Sequence, residues 1–500
     1  MLFRPRLIDL KIIGFYTGKL VIGVGFLMLI PMVVSLVNRE WGPVLDFLIG
    51  ASIAIAAGHL SSIWLRTGKE MGWIHGIMVV PMAWLAAMFF GAVPHYLGGH
   101  FASFLDAMFD TMSGFTTTGL TLIRDLDHLS YGHNFWRHLT IFIGGQGIVI
   151  VMLTLMAGGA SSVWALSVGE AREEKILPNL IHTARFIRRF SLIYFIAGTA
   201  ALWLGAVQIG ISPLRALFHA PNVFMAAFDT GGFTPQSQSI VYYHSPLFEF
   251  LTLPLMLAGA INFGLYYALF SGNRRELFKN SELKTMTATI FVSFTITAAA
   301  IAAAGVFGDT ASLFRRGFYQ LISAYTSTGF TTVYSFHIPD IWGALGLLTI
   351  MVTMGLGASI GSTAGGIKAY RLMIILKAFV LEIRRVILPP SAVTVAKYHH
   401  LKKNLLTEKL VLGAFLIGIA YIASYLAGAV IAASMGYSLV DALFQSVSAG
   451  GNIGLSSRIP LLDIPSALKI TYITQMWMGR LEFVSILALI GFAISAVRGK

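Results

Sequence analysis

The stretch Asp106-AMFDTMSGFTTTGLT recurs along the chain, with changes, as His219-APNVFMAAFDTGGFT, Arg316-GFYQLISAYTSTGFT and Asp441-ALFQSVSAGGNIGLS. The four stretches align without gaps, and each places a glycine thirteen residues after its first member. These central glycines are Gly119, Gly232, Gly329 and Gly454. Small residues recur five positions before each glycine, which suits close packing of helices. A fourfold repeat of this kind predicts the architecture of the whole chain.

The composition outside the repeats excludes a soluble globular protein. Of the 500 residues, 56% are hydrophobic and only 11% are charged, and the mean hydropathy is +0.76. Several apolar runs approach or exceed the ~20 residues that cross the hydrocarbon core of a bilayer. Among them are residues 20–37, 47–65, 77–93 and 410–435. The chain is therefore expected to lie in a lipid bilayer.

Apolar spans flank each of the four stretches. The flanking pairs are 71–93 and 135–157, 190–209 and 246–270, 285–306 and 340–356, and 406–435 and 467–497. The dozen residues before each central glycine would form a helix of about 18 Å, which is too short to cross the bilayer. Each stretch is therefore expected to enter the membrane and turn back.

The predicted fold is an all-α membrane protein with four pseudo-symmetric span–pore-helix–span repeats around one central pore and two additional N-terminal transmembrane helices. This gives ten spans. The predicted units are an N-terminal two-helix domain at 1–70, repeat 1 at 71–170, repeat 2 at 171–283, repeat 3 at 284–400 and repeat 4 at 401–500. Irregular backbone at membrane depth is tolerated where it is buried in protein or lines water, which four loops around a shared axis would satisfy.

The distribution of charge predicts the orientation in the membrane. If loops alternate from a cytoplasmic N-terminus, 26 of the 35 Lys and Arg residues fall on the cytoplasmic side. This positive-inside pattern predicts a multi-pass protein of the cytoplasmic membrane with both termini in the cytoplasm. It also explains the net charge of +13 better than nucleic-acid binding does. No cysteine is present, so thiolate metal sites and disulfides are excluded.

Neutral residues precede the central glycine of each stretch, which predicts a binding site for a dehydrated cation. The candidate filter residues are Thr117, Thr118 and Gly119, Thr230, Gly231 and Gly232, Ser327, Thr328 and Gly329, and Asn452, Ile453 and Gly454. Backbone carbonyls of such loops can replace a hydration shell, and glycine lets the backbone approach the ion. Short helices ending at the loops direct partial negative charge toward the centre. Because Asp229 is the only carboxylate within three residues of a central glycine, a monovalent cation is favoured over a divalent one.

With these four glycine-centred loops, the chain resembles the Trk, Ktr and HKT potassium transporters, and most closely their TrkH-type membrane subunits. The resemblance implies that each repeat supplies one filter glycine, that the transported ion is potassium and that no cofactor is held in this chain. It also implies a homodimer with a peripheral cytoplasmic nucleotide-binding subunit. Glycine at position 119 favours potassium over sodium within the family pattern. Repeats 2 and 4 depart from the pattern at Asp229 and at Asn452 and Ile453, which puts side-chain ligation there in doubt.

The second span of repeat 3 contains the glycine-rich run 355-GLGASIGSTAGGIK-368. Each glycine inside a helix costs about 1 kcal/mol relative to alanine, so this run predicts a break at membrane depth. The candidate gate residues are Gly355, Gly357, Gly361, Gly365, Gly366 and Lys368, together with Arg480 of the last span. The family resemblance implies that the run obstructs the pore beneath the filter. Helix-packing notches are the simpler alternative.

Arg480 is expected to point into the cavity, because an uncompensated charge in the middle of a span costs at least ~2.5 kcal/mol. Glu482 lies two positions away, hence on another helix face, and is a poor partner for it. Lys368 could extend either inward or toward the cytoplasm. A latch and an electrostatic barrier are the expected roles of Arg480.

Two alternatives stay open at this stage. The first is a sodium- or proton-coupled potassium symporter, which no feature of the sequence excludes. The second is an intramembrane serine hydrolase, because 357-GASIG-361 formally matches a nucleophile elbow centred on Ser359. The match is weak, since an elbow follows a strand and needs a positioned histidine, and no histidine lies between His337 and His399. The basic segments 170–189 and 377–409 suit docking better than catalysis, so an enzyme is not expected.

Overall fold

The computed structural model describes residues 6–69, 71–147, 180–334, 338–389 and 394–498. Helices dominate these ranges, as the composition predicts. The chain begins with α1 (Leu7–Leu27), α2 (Leu29–Val37) and α3 (Trp41–Trp64). The first two helices form one span from Leu7 to Val37. The helix therefore begins before the apolar run at 20–37, because the polar positions ahead of that run do not interrupt it.

Asp9 illustrates how the first helix accommodates polar residues. It is buried, and its Oδ1 lies 2.8 Å from Nε2 of His75. Close packing then joins α1 to α3. A Cβ added at Gly58 of α3 would overlap the carbonyl oxygen of Gly18 in α1, so this crossing requires a residue without a side chain.

Each aligned stretch forms a short helix that is preceded by a long one. The first group comprises α4 (Trp73–Leu97), α5 (Phe104–Phe115) and α6 (Tyr131–Gln146). The second comprises α7 (Leu180–Gln208), α8 (Pro213–Phe228), α9 (Pro246–Ala260) and α10 (Phe263–Phe270). The connecting helix α11 (Glu276–Lys279) follows.

The third and fourth groups repeat this order. The third comprises α12 (Ser281–Ala303), α13 (Thr310–Ser312), α14 (Phe318–Tyr325), α15 (Ile338–Ile341), α16 (Gly343–Gly355) and α17 (Ala369–Ile387), with a π turn over Leu313–Gly317. The fourth comprises α18 (Glu408–Ser434), α19 (Leu439–Gly450), α20 (Ser466–Arg480) and α21 (Val484–Arg498). Between the third and fourth groups lies an antiparallel hairpin of β1 (Lys397–His400) and β2 (Lys402–Leu405), which the all-α prediction missed.

The helix that follows each short helix stops or bends before it reaches the length of a full span. The pair α9 and α10 bends by 96°, and the pair α20 and α21 bends by 114°. The predicted spans at 246–270 and 467–497 therefore each consist of two helices that meet at a sharp bend. At the second bend, Glu482 and Phe483 both adopt positive φ values, of 52° and 69°, which no helix continues through. The bend places Arg480 at the end of a helix rather than in the middle of one.

The described residues contain six candidate spans that are long and apolar enough to cross a bilayer, and the two bent pairs raise that number to eight. The predicted second span of repeat 1 extends to residue 157 and so lies partly outside the described residues. The predicted second span of repeat 3 ends as α16, which has 13 residues and is shorter than a span. The total of ten spans stays a prediction.

Candidate ion pathway

All four short helices end in the same hydrogen-bonded turn. At the end of α5, the Thr118 amide donates to the Ser113 carbonyl at 2.8 Å and the Thr117 amide donates to the Gly114 carbonyl at 2.9 Å. Equivalent pairs of bonds, 2.8–3.2 Å long, end α8, α14 and α19. This pattern is the Schellman motif, in which the residue after the helix cap takes a left-handed conformation.

None of the left-handed positions of the four turns is a glycine. They are Thr117, Thr230, Ser327 and Asn452, with φ between 51° and 59°. Glycine normally occupies this position, and a β-branched residue there is a genuine outlier. Strain of this kind costs on the order of 1–3 kcal/mol and concentrates at functional sites. Thr117 and Thr230 are the β-branched residues among the four, and the left-handed geometry that all four turns share marks them as a candidate site.

Two positions further along, each turn reaches its central glycine, where φ is again positive. The values are +91° at Gly119, +69° at Gly232, +80° at Gly329 and +89° at Gly454. Each glycine is also packed against the next turn. A Cβ would come within 2.5 Å or less of the carbonyl oxygen of Gly231, Thr328, Ile453 and Thr118, taking the central glycines in chain order.

These contacts close into a ring. The first turn faces the second, the second faces the third, the third faces the fourth, and the fourth faces the first. Four chain segments separated by about a hundred residues each thus meet around one axis, with backbone carbonyls at every junction. The twelve predicted filter residues are all brought together in this ring.

Hydroxyl groups in the first and third turns hold the helix ends. Thr116 Oγ1 donates to the Met112 carbonyl at 2.7 Å and lies 2.9 Å from Thr118 Oγ1. In the third turn, the corresponding distance between Thr326 Oγ1 and Thr328 Oγ1 is 2.8 Å. All four threonines are fully buried.

The two turns that depart from this pattern use other contacts. In the second turn, Asp229 Oδ1 accepts a hydrogen bond from Gln146 Nε2 at 2.7 Å, so this carboxylate is engaged by the end of α6. In the fourth turn, Asn452 Nδ2 donates to Thr118 Oγ1 at 3.0 Å and to the Met476 carbonyl at 2.9 Å. Asn452 therefore ties the fourth turn to the first.

Directly against the ring lies the intramembrane segment, residues 356–368, between α16 and α17. Its ends are joined by two backbone bonds, from the Gly357 amide to the Ile367 carbonyl at 2.7 Å and from the Ile367 amide to the Gly355 carbonyl at 3.0 Å. Gly361 and Gly366 have φ of 65° and 68°. The glycine run therefore forms a closed loop and not a helix with packing notches.

The intramembrane segment contacts three of the turns directly. Thr363 Oγ1 lies 3.1 Å from Thr230 Oγ1 of the second turn. The Gly365 amide donates to Ser327 Oγ of the third turn at 3.1 Å. A Cβ at Gly365 would overlap the Gly451 carbonyl oxygen of the fourth turn.

Arg480 connects the intramembrane segment to the first turn. Its Nη1 donates to the Thr363 carbonyl at 2.5 Å and to Thr117 Oγ1 at 3.3 Å. Its Nη2 donates to the carbonyl oxygens of Gly144 and Gly145 in α6, at 2.7 and 3.3 Å. These bonds place the guanidinium of Arg480 beside the ring, in contact with the segment, the first turn and α6.

The other charged groups near the segment are buried. Glu482 forms an ion pair with Arg371 of α17, and the bend after α20 makes this contact possible. Lys368 is 6% exposed, and its Nζ donates to the Ala364 carbonyl within the segment. Of its two expected directions, the lysine takes the inward one.

Glu282 is a site residue that sequence reasoning missed. Its Oε1 accepts a hydrogen bond from the Ile360 amide of the intramembrane segment at 2.7 Å. Its Oε2 lies 3.4 Å from Nδ1 of His400 in β1. A buried carboxylate thus joins the segment to the hairpin. An acidic residue in the first turn of a span was the available signal, but it is equally typical of a helix cap.

Replacing Glu282 with Ala is expected to lower the free energy of unfolding by about 2 kcal/mol, because it leaves the buried Ile360 amide without an acceptor. The matched control is Glu408→Ala, an exposed glutamate in the first turn of α18, for which a change below ~0.5 kcal/mol is expected. Thermal unfolding of the purified protein measures both. Equal shifts of the thermal midpoint in the two variants would contradict a stabilising contact between Glu282 and the Ile360 amide.

A buried ion pair supports the ring from behind. Arg137 Nε donates to Asp110 Oδ2 at 3.0 Å, and both side chains have no solvent exposure. The guanidinium also lies 3.9 Å from the ring centroid of Phe233, the residue after the second central glycine. Neither residue was singled out from the sequence, since their pairing depends on the packing of α5 against α6.

Asp110→Ala is expected to destabilise the protein by about 3–5 kcal/mol, because it leaves the Arg137 charge buried without its partner. The double variant Asp110→Leu, Arg137→Met removes both charges and is expected to recover most of that loss. The thermal midpoints of the single and double variants show whether the unpaired charge causes the loss of stability. A double variant that is less stable than the single one would contradict this account.

The described residues define an all-α membrane protein in which four helix-ending turns from distant parts of the chain converge on one axis. Comparison with known proteins gives the particular family. The profile of the TrkH family, described as cation transport proteins, matches residues 45–495. The chain belongs to this family.

Individual relatives agree with that assignment. An uncharacterized cation transporter of Methanocaldococcus jannaschii is 31% identical, over 96% of this chain and 95% of the relative. The Trk system potassium uptake protein TrkH of Escherichia coli is 25% identical, over 94% and 96%. The crystal structure of the potassium transporter TrkH from Vibrio parahaemolyticus has the same fold, with a TM-score of 0.82, 23% identity and coverage of 96% and 98%. The family is one of transporters, so the chain is not an enzyme and the hydrolase alternative at Ser359 is wrong.

Proposed function

We propose that the chain takes up potassium ions across the cytoplasmic membrane through a channel-like pore formed by the four turns. One observation carries the proposal, the closed ring in which each central glycine faces a backbone carbonyl of the next turn. Such carbonyls can replace the hydration shell of a potassium ion. Relatives over nearly the whole length of the chain are named as potassium uptake proteins, which supports this choice of ion.

The electrostatics of the ring favour a monovalent cation. The ends of four short helices point their partial negative charge at the ring, which favours cations over anions. The Oδ1 of Asp229 accepts a hydrogen bond from Gln146, so this oxygen is engaged by α6 and is not offered to the ring as a ligand for a divalent ion. Potassium is the substrate in this proposal.

The gate in this proposal is the intramembrane segment. It abuts the second, third and fourth turns, while Arg480 holds it against the first turn and α6. A loop in this position obstructs the path of the ion, and the guanidinium beside the ring repels a cation. Opening requires the segment to leave the ring, and its tethers at Thr363, Gly365 and Ile360 must then break.

The assembly we propose has both termini in the cytoplasm, two copies of the chain and a peripheral cytoplasmic subunit that binds nucleotides and drives the gate. The name of the Escherichia coli relative refers to a Trk system, which supports a further subunit. The hairpin and its basic neighbours are available for such docking. Its residues Lys402 and Lys403 are exposed.

Flux of rubidium or potassium into liposomes that contain the purified chain tests the function. We expect uptake down a potassium gradient, with sodium as a poor competitor and with no requirement for a sodium or proton gradient. Uptake that depends on either gradient would indicate a symporter. No monovalent-cation flux, with the peripheral subunit supplied, would contradict the proposal.

A further inference from the structure

A groove of about 530 Å³ lies outside the ion pathway, between the start of α12, one face of α17 and residues 394–397, which lead into β1. We propose that this groove binds an anionic phospholipid, with the phosphate against its three cations and an acyl chain along its apolar lining. The cations are Lys377, Arg384 and Lys397.

The charge of the groove is unbalanced. No Asp or Glu is among the described residues that line it. Among the described residues, the neighbouring Arg385 forms an ion pair with Glu382. No carboxylate of the described residues lies within 4.0 Å of the charged nitrogens of the three groove cations. Lys377 and Arg384 are seven residues apart on α17, which is about two helical turns, so they share a face. Lys397 meets them from the other side of the groove.

The rest of the lining is mainly apolar. Met373, Leu376, Val380 and Leu381 line the groove from α17, and Val395 faces them. Several of these side chains are substantially exposed, with 49% for Leu376 and 61% for Val395. A small inorganic anion would leave this lining in water. An amphipathic anion covers the apolar lining with its acyl chain and neutralises the cations with its phosphate. It therefore matches the groove in both hydrophobicity and charge.

The groove also lies beside the end of a helix that is long and apolar enough to cross the bilayer. Thr285 belongs to the first turns of α12, and α12 is one of the helices long and apolar enough to cross the bilayer. A basic pocket at the cytoplasmic end of spanning helices is a recurrent site for anionic headgroups. By the predicted orientation, the start of α12 is a cytoplasmic end.

The groove is connected to the intramembrane segment through α17. That helix begins at Ala369, whose amide donates to the Ala358 carbonyl of the segment at 2.9 Å. A lipid held against α17 therefore biases the position of the segment, and this consequence, unlike the binding itself, rests on the proposed function.

Binding of short-chain lipids to the purified full-length chain in a neutral detergent tests the proposal, with native mass spectrometry and thermal shift as readouts. Dioctanoyl phosphatidylglycerol is expected to bind and to raise the thermal midpoint. Dioctanoyl phosphatidylcholine and glycerol 3-phosphate, which lack the net charge and the chains respectively, are expected to have little effect. The variant Lys377→Gln, Arg384→Gln, Lys397→Gln is expected to bind phosphatidylglycerol roughly a hundredfold more weakly, at about fivefold for each cation.

The matched control removes the same charge at the same end of the molecule. Arg274, Arg275 and Lys279 are exposed and flank Glu276, which contacts His399 of the hairpin. Their triple substitution by Gln is expected to leave phosphatidylglycerol binding within about twofold. The single variants Arg384→Gln and Lys397→Gln provide the same comparison if the triple variant does not fold, and Lys377→Arg is expected to retain binding.

Three results would overturn the proposal. Equal loss of binding in the groove variant and in the control would show a diffuse charge effect. Tight binding of glycerol 3-phosphate would show an anion site without a lipid. A change in oligomeric state by light scattering, with lipid binding unchanged, would show that the groove is a protein interface.

Discussion

Gly329→Ala is expected to reduce potassium flux about a hundredfold or more. A Cβ at this position would overlap the Ile453 carbonyl oxygen of the fourth turn, and it would require a non-glycine residue at φ +80°. The left-handed conformation alone costs roughly 1–2 kcal/mol for such a residue. Relief of the overlap moves the carbonyl that the ion would use, so transport fails even when the chain folds.

Gly413→Ala is the matched control. Gly413 lies inside α18, and a Cβ there would have no atom within 4 Å. Because alanine is favoured over glycine inside helices by about 0.5–1 kcal/mol, this variant is expected to keep full flux and to be equally or more stable. Rubidium flux in liposomes, with size-exclusion profiles and thermal midpoints, separates transport from folding. A folded Gly329→Ala protein with flux like the unchanged chain would contradict the ring as the ion pathway.

Arg480→Gln is expected to raise flux in the absence of any activating subunit by about tenfold. The substitution removes the bonds that link the Thr363 carbonyl to α6 and to Thr117. It also removes a positive charge beside the ring, and a unit charge at about 4 Å from a cation is worth ~4 kcal/mol at an effective dielectric constant of 20. Both effects favour an open path.

A lysine variant separates the two effects. Arg480→Lys keeps the charge, but its ammonium cannot reproduce the planar fork that reaches two elements at once. We expect its flux to lie between those of the unchanged chain and Arg480→Gln. Arg124→Gln serves as the control, because it also removes one positive charge, but from a side chain that is 76% exposed. Low, unchanged flux in a folded Arg480→Gln protein would contradict the latch.

The sequence was sufficient for those features that local chemistry determines. The apolar composition predicted a membrane protein, and the family assignment confirms that class. The length of each aligned stretch predicted short helices ending before Gly119, Gly232, Gly329 and Gly454, where the four turns are found. The density of glycine in 355–368 predicted a broken helix, because several glycines in one run oppose helix formation whatever surrounds them.

Features that depend on distant partners could not be obtained in this way. The pairing of Glu482 with Arg371 of α17 depends on the bend after Arg480, and the inward direction of Lys368 depends on the closed loop around it. By its position, Glu282 is an ordinary acidic residue in the first turn of a helix. Only the tertiary structure shows that it accepts a hydrogen bond from the Ile360 amide. In each case the partner lies on another element, so its identity is set by packing and not by spacing along the chain.

The four turns show most clearly which features the sequence determines and which depend on the tertiary structure. Their helix lengths and the positions of their glycines follow from the sequence alone, because helix ending and positive φ are local requirements. That each glycine faces a carbonyl of the next turn, and that the fourth returns to the first, was decided only by the tertiary structure. The physical reason is that ring closure requires four segments, each about a hundred residues from the next, to pack against one another.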